Sequence, residues 1–303
     1  MSCTVSDSIY LCKVKFYLKA EESMLLPEVK ASMFRGVLGH TFKRFNCANR
    51  LSNDCKACVI KKSCSYNIFF DSESSAKPFI MYSGQMQHSY KKGEIIEFEL
   101  VLFGVAVKYL PQLILAFIEI GKTGITSRNY KFTLHAVKDC YGNCIFSDGI
   151  ITGLPKNIII NKFYSTDYNA IRKISMRFIT PLRLTNFGDL VVNPTFEMLV
   201  KAITRRIKLI ALEHCGFAPD IDHKMLIEKA KSVAVSNSTL VWKDWTRYSN
   251  RQHSKMEFGG LIGDISFEGD LSVFIPYLKA GELLHIGKNC VFGNGKYIIT
   301  EFL

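Results

Sequence analysis

The apolar residues of this chain switch their spacing between the period of a strand and that of a helix, and the order of those switches runs twice. Residues 9–18 alternate as a strand, and residues 31–45 carry Phe34, Val37, Leu38, Thr41, Phe42 and Phe45 at helical spacing. Strand-like runs follow at 79–81 and 94–103. A helix over 105–119 ends at Gly121, Gly121 to Gly124 reads as a short glycine loop, and a strand at 132–137 leads to the end of the half near Gly153 and Pro155. The second half begins with a strand over 171–184, broken at Pro181, and an amphipathic helix over 194–215 with Asn193 as its N-cap. Two paired strands are expected at 239–249 and 256–268, then a helix over 271–280 stopped by Gly281, a glycine-rich loop at 287–295 and a last strand at 296–302. Strand, helix, two strands, helix, strand is the split βαβ order. The chain is therefore expected to be α+β, with two tandem ferredoxin-like (RRM-like, βαββαβ) domains over 1–155 and 156–303 and a small cysteine-rich, metal-binding insert at 47–64.

Charge narrows the partner. The 303 residues include 39 Lys and Arg against 27 Asp and Glu, a net charge of +12, and each half carries +6. An excess spread over both halves suits a polyanionic partner lying across the chain (nucleic acid, an anionic membrane or an acidic protein) and does not describe a basic tail. The longest apolar run, 110–120, is interrupted by Pro111 and Glu119 and falls short of the ~20 residues a membrane helix needs. The first residues lack the basic start and apolar core of a secretion signal, so ten cysteines read as reduced thiols and the expected compartment is the cytoplasm.

The glycine loop, with Gly287, Lys288, Phe292, Gly293, Gly295 and Lys296, supports two readings. Glycines let successive amides approach a phosphate, the lysines add charge, and Phe292 or Tyr297 offers a ring for stacking. A tight helix-to-strand connection also needs glycine. No Gly-Lys-Ser/Thr follows, so the loop is not a Walker loop.

With this loop in place, Gly287-x5-Gly293-x-Gly295 resembles the glycine-rich signature of the RAMP superfamily of CRISPR-associated proteins. The stretches Thr180-Pro-Leu-Arg-Leu184, Arg247-Tyr-Ser-Asn-Arg-Gln252, Gly259-Gly-Leu-Ile-Gly263 and Leu284-His-Ile-Gly287 are together similar to its precursor-CRISPR-RNA processing endoribonucleases. Phe34-Arg-Gly-Val-Leu-Gly-His40 followed by clustered cysteines is similar to one branch of that group. The resemblance implies two ferredoxin-like domains and metal-independent cleavage of repeat RNA. The implied products carry a 5′-hydroxyl and a 2′,3′-cyclic phosphate or 3′-phosphate. The other implied role is that of a non-catalytic RNA-binding subunit of a CRISPR effector complex.

Attack by an RNA 2′-hydroxyl needs a base, an acid and cations around the phosphorane. Of the seven histidines, His40 falls opposite the apolar face of the first helix, with Lys43 near it and Arg44 beside it. Cations next to an imidazole favour its neutral, basic form and also attract phosphate. The family places its histidine on or just after the first helix, often with a lysine and a tyrosine as partners. Lys43 fits, but Tyr17, Tyr66 or Tyr248 can reach His40 only through the fold. His285, two residues before the glycine loop, is the rival catalyst or else a residue that bonds the loop's backbone. Arg247, Tyr248, Arg251 and Gln252, near Trp242 and Trp245, suit phosphate contact and base stacking. The same RNA surface is expected to include Arg44, Gly287, Lys288, Gly293, Gly295 and Lys296.

Cys47-x7-Cys55-x2-Cys58-x5-Cys64 brings four thiols into one polar, basic segment too poor in apolar residues to fold by burial alone. Structural zinc is the expected occupant, an iron–sulfur cluster uses the same ligand type, and four thiolates leave no open position for a catalytic metal.

Overall fold

Alternation along residues 9–18 and helical spacing along 31–45 do become a strand and a helix packed face to face. The computed structural model describes residues 8–48, 55–244, 246–249 and 254–303. The chain divides into two units, a first of Ile9–Ile159 joined by Glu213–Cys215, and a second of Ile160–Leu212 with Gly216–Leu303.

In the first unit the elements are β1 (Tyr10–Ala20), α1 (Lys30–Asn46), β2 (Phe79–Tyr82), β3 (Ile95–Phe103), α2 (Leu110–Thr123) and β4 (Phe132–Asp139). The sheet order is β2-β3-β1-β4, all antiparallel, and short strands Cys144–Ser147 and Ile150–Ile151 extend it beyond β4. Period two sends alternate residues of β1 to opposite faces. Phe16 stacks on Phe98 at 4.8 Å and lies 5.0 Å from Phe117 of α2, while Phe34 of α1 lies 4.9 Å from Phe98. Both helices therefore cover that face. On the other, Lys13 pairs with Glu99 at 3.1 Å and Lys15 with Glu97 at 3.3 Å.

The second unit repeats the plan. Its elements are β5 (Lys173–Leu182), α3 (Phe196–Ile210), α4 (His223–Lys231), β6 (Ala234–Ser238), β7 (Gly260–Glu268), α5 (Ile275–Leu284) and β8 (Tyr297–Phe302). The sheet order β6-β7-β5-β8 is the counterpart of the first, again antiparallel throughout. Two ferredoxin-like folds in tandem result.

Several local expectations are corrected. Gly121 and Gly281 do not stop their helices but lie buried within α2 and α5, where a Cβ would stand 2.2 Å from the Phe132 carbonyl oxygen and 2.2 Å from the Tyr297 hydroxyl. No glycine loop therefore exists at 121–124, since α2 runs to Thr123 and only Gly124, at φ 95°, is its cap. The long helix is capped by Thr195, whose hydroxyl accepts from the Met198 N–H, and not by Asn193. It gives way after Ile210 to a wider turn, Ala211–Cys215. The strand beside β7 is Ala234–Ser238, preceded by an unforeseen helix, α4. Of the expected pair, Val241–Lys243 joins the start of β7, while Thr246–Ser249 and Ser254–Glu257 form a separate hairpin. The run Gly104–Thr123 is, over 20 residues, long and apolar enough to cross a membrane. Leu110, Leu113, Ile114, Phe117 and Ile120 spend that apolarity in the core of the first unit.

Candidate functional site

The helix α1 begins on an anchored lysine. Lys30 is fully buried, its ammonium donates to the Gln85 and Gln87 carbonyls at 2.8 and 2.7 Å, and it sits 5.5 Å from the Tyr90 ring. Burial holds its pKa below the usual lysine value. Phe34, Leu38, Thr41 and Phe42 then face the core, which leaves His40 and Arg44 exposed as the wheel predicts. Phe45 is the exception: it is 52% exposed, in the last turn, with the Arg44 guanidinium 5.4 Å from its ring.

His40 and Lys43 lie one turn apart on this helix, close enough to act on one group. The half-buried Lys43 ammonium stands 5.5 Å from the Tyr66 ring, which in turn stacks on Phe70 at 5.5 Å. Tyr66, one of the three candidate tyrosines, is thus placed beside Lys43. Tyr17 belongs to the sheet face away from the helices, with the Lys15 and Lys138 ammonium groups 6.0 and 5.8 Å from its ring. Arg44 makes an ion pair with Glu119 at 3.3 Å. His40, Lys43 and Arg44 on one helix, with Tyr66 beside Lys43, gather an imidazole, two cations and a phenol in one partly exposed region.

The cysteine segment adjoins this group. The Cys47 N–H donates to the Lys43 carbonyl at 2.9 Å, and the Cys58 and Lys61 N–H groups fold the chain back to Cys55 and Cys58. Burial, then the charge of Asp71, push the Cys55 thiol up, while Lys43 opposes them. All four cysteines are half-buried and outside any disulfide, and among the described residues no three metal-ligating side chains converge.

The glycine loop is built differently. The N–H groups of Lys288, Phe292, Gly293 and Gly295 donate to the carbonyls of Arg183, Asn289, Cys290 and Pro181 at 2.8 to 3.0 Å, and that of Lys296 to the Thr180 hydroxyl at 2.8 Å. Donors already committed to protein oxygens cannot cradle a phosphate, so the anion-nest reading of these amides is corrected. Gly295 has φ 71° and a Cβ there would lie 1.7 Å from the Ile286 oxygen; at Gly287, φ 88°, it would meet the Arg183 oxygen at 2.5 Å. Tyr297 is fully buried with its hydroxyl on the Leu278 carbonyl, and Phe292 packs on Phe258 at 4.9 Å, so neither ring is open to a base. His285 is 3% exposed with Nδ1 3.2 Å from the Asn294 oxygen, a loop-bonding position. Of the loop's two lysines, Lys288 is exposed and Lys296 half-buried.

Arg247 and Tyr248 lie on the strand Thr246–Ser249, while Arg251, Gln252 and Trp245 fall outside the described residues. Arg183, which is not among the expected site residues, donates to the Gly259 carbonyl at 2.8 Å and stands 5.9 Å from the Trp242 ring.

The fold and site define a chain of two tandem ferredoxin-like units, with a cationic, imidazole-bearing first helix and a glycine clamp in the second unit. Residues 176–297 match the family of the CRISPR-associated endoribonuclease Cas6, and residues 9–152 match an N-terminal domain, AF_1859_N. The match to the Cas6 family lies within the second unit. Solved structures agree in fold. A chain of a partial Cas6-RT-Cas1–Cas2 complex is 12% identical with a TM-score of 0.62 over 97% of this chain. A Cas6 product complex is 13% identical with a TM-score of 0.58, covering 95% of this chain and 98% of that one. Thermus thermophilus Cas6 is 13% identical with a TM-score of 0.55, covering 96% and 98%. The chain spans 46% of the chain in the partial Cas6-RT-Cas1–Cas2 complex. No curated protein matches the sequence.

Proposed function

We propose that this protein is an endoribonuclease that binds CRISPR repeat RNA and cleaves precursor CRISPR RNA in the cytoplasm by internal transesterification. The observation that carries the reading is the grouping of His40, Lys43 and Tyr66 on and beside α1 of a Cas6-family chain. The 2′-oxygen attacks the adjacent phosphorus and loses its proton to the His40 imidazole. Lys43, with Arg44 nearby, stabilises the phosphorane's charge, and the bond to the 5′-oxygen breaks as that oxygen takes a proton from the Tyr66 hydroxyl. The products are a 2′,3′-cyclic phosphate and a 5′-hydroxyl, and no metal takes part. Positioned proton transfer of this kind contributes about 10²–10⁴-fold in rate.

Arg247, Tyr248, Arg251, Gln252, Lys288 and Lys296 would hold the repeat, and subunits of a CRISPR effector complex would be further partners. Cys47, Cys55, Cys58 and Cys64 have the donor chemistry of a structural zinc site, although their present placement does not bring three together. A bound zinc would brace the segment between α1 and Tyr66, and metal analysis of purified protein reads out its presence directly. The activity is tested with repeat RNA in EDTA: cleavage leaving a 5′-hydroxyl, abolished by a 2′-deoxy substitution at the scissile position, is expected. Tight binding without cleavage would instead favour a non-catalytic RNA-binding subunit.

A further inference from the structure

Between Leu184 and Val191 the second unit projects a two-residue hairpin. Thr185 and Asn186 pair with Leu190 and Asp189, and Val191 donates to the Leu184 carbonyl at 3.1 Å. The two residues at its tip, Phe187 and Gly188, have φ values of 48° and 99°. Positive φ at both central positions is the geometry for which hairpins select Asn-Gly or Gly-Gly. A bulky side chain there is an outlier that the backbone disfavours. Nor does burial compensate, because Phe187 is 100% exposed. The position thus carries a conformational cost and a hydration cost at once, and nothing within the fold recovers either.

The hairpin is held stiffly at its base. Leu184 and Val191 are buried at 7% and 8% exposure. Arg183, the residue before the hairpin, accepts the Lys288 N–H at 2.8 Å and donates to the Gly259 carbonyl at 2.8 Å. A Cβ at Gly287 would strike that same Arg183 oxygen. The glycine of the loop therefore secures the root of the hairpin, and beside that root stand the exposed Lys288 and the Arg183–Trp242 pair. Four extended residues carry Phe187 at most about 13 Å from Arg183.

We propose that Phe187 is a stacking finger for an unpaired base of the RNA, mounted by the glycine loop and set near the phosphate-attracting Lys288 and Arg183. This rests on the reading of the protein as a repeat-RNA nuclease. An aromatic ring stacks on any base face, and cations at its root hold the backbone that presents the base. Leu190 at 40% and Val192 at 57% exposure widen the apolar tip, which makes a protein surface the rival occupant. The net charge of +12 and the cations at the root favour RNA.

The test uses full-length protein and fluorescently labelled repeat RNA in equilibrium anisotropy, with thermal melting and sedimentation of the free protein alongside. Phe187→Ala is expected to raise Kd about tenfold or more, and Phe187→Trp to restore it. Phe187→Gly, which suits the positive φ, should melt no lower than the parent yet bind as poorly as the alanine variant. Unchanged Kd in Phe187→Ala overturns the proposal, as does a loss confined to self-association. A parent protein that binds repeat RNA but does not cut it would refute the nuclease reading and leave the Phe187 comparison intact.

Discussion

The two units share one strand order, yet they direct their polar groups oppositely. In the first, α1 turns His40 and Arg44 outward and holds Lys43 against Tyr66, so its polar groups are presented at the surface. In the second, the glycine loop turns its amides and His285 inward, onto the carbonyls of Arg183, Pro181 and Asn294. A motif that marks a family can thus be a clamp, while the residues suited to chemistry lie in the other repeat of the same fold. Sequence signatures built on glycine report where backbones must approach closely, and that requirement is as often architectural as catalytic.

That contrast can be broken at either side. The largest effect is expected from Tyr66→Phe, which removes only the phenolic proton: single-turnover cleavage should fall about 100-fold or more with RNA affinity and melting unchanged. A variant that cleaves normally removes Tyr66 from the site and leaves the contact with Lys43 as packing. Gly295→Ala should act on stability instead. A methyl group 1.7 Å from the Ile286 oxygen at φ 71° forces the loop apart, at a cost of about 3 kcal/mol, and a fall in Tm of several degrees is expected. Normal melting with lost RNA binding would return the loop to the ligand side.

The smallest expected effect is pH-linked and belongs to the second unit. Burial, then the charge of Lys208, hold His223 below the usual histidine pKa. The unfolded chain therefore binds the proton more readily than the folded one. Stability should be intact above about pH 6.5 and decline as pH falls through the lowered folded value. Melting curves from pH 7.5 to 5 should show this decline, reduced in His223→Gln. A decline of equal size in the variant would assign the dependence to other groups.

Much of this was legible along the chain. Alternation at 9–18 and 94–103 and the apolar face at Phe34, Leu38 and Phe42 located the first unit because burial follows period directly. The same rule misplaced Gly121 and Gly281, since helix propensity disfavours glycine but close packing against Phe132 and Tyr297 demands it. The nine-residue α4 escaped notice because only Leu226 and Ala230 of it are buried, too few to show a period. Asn193 lost the cap to Thr195 because Pro194 lies between them and the helix starts only at Phe196. His40 and Lys43 were visible as a pair on one helix turn, whereas Tyr66 was one of three tyrosines until the chain after the cysteine segment folded back over α1. The role of Gly287 was hidden for the same reason, since its close neighbour, the Arg183 carbonyl, lies just past the end of β5, about a hundred residues earlier in the chain.

Which histidine moves the proton decides which unit carries the chemistry. Single-turnover cleavage of repeat RNA by His40→Ala and His285→Ala, each measured beside its melting temperature, decides it. His40→Ala is expected to lose at least about 100-fold in rate and keep its Tm. His285→Ala should lower Tm through the lost loop bond and, once folded and saturated with RNA, cleave at nearly the parental rate. A His285→Ala protein that stays folded, binds and cannot cleave, beside an active His40→Ala, would place the chemistry in the second unit and contradict the account.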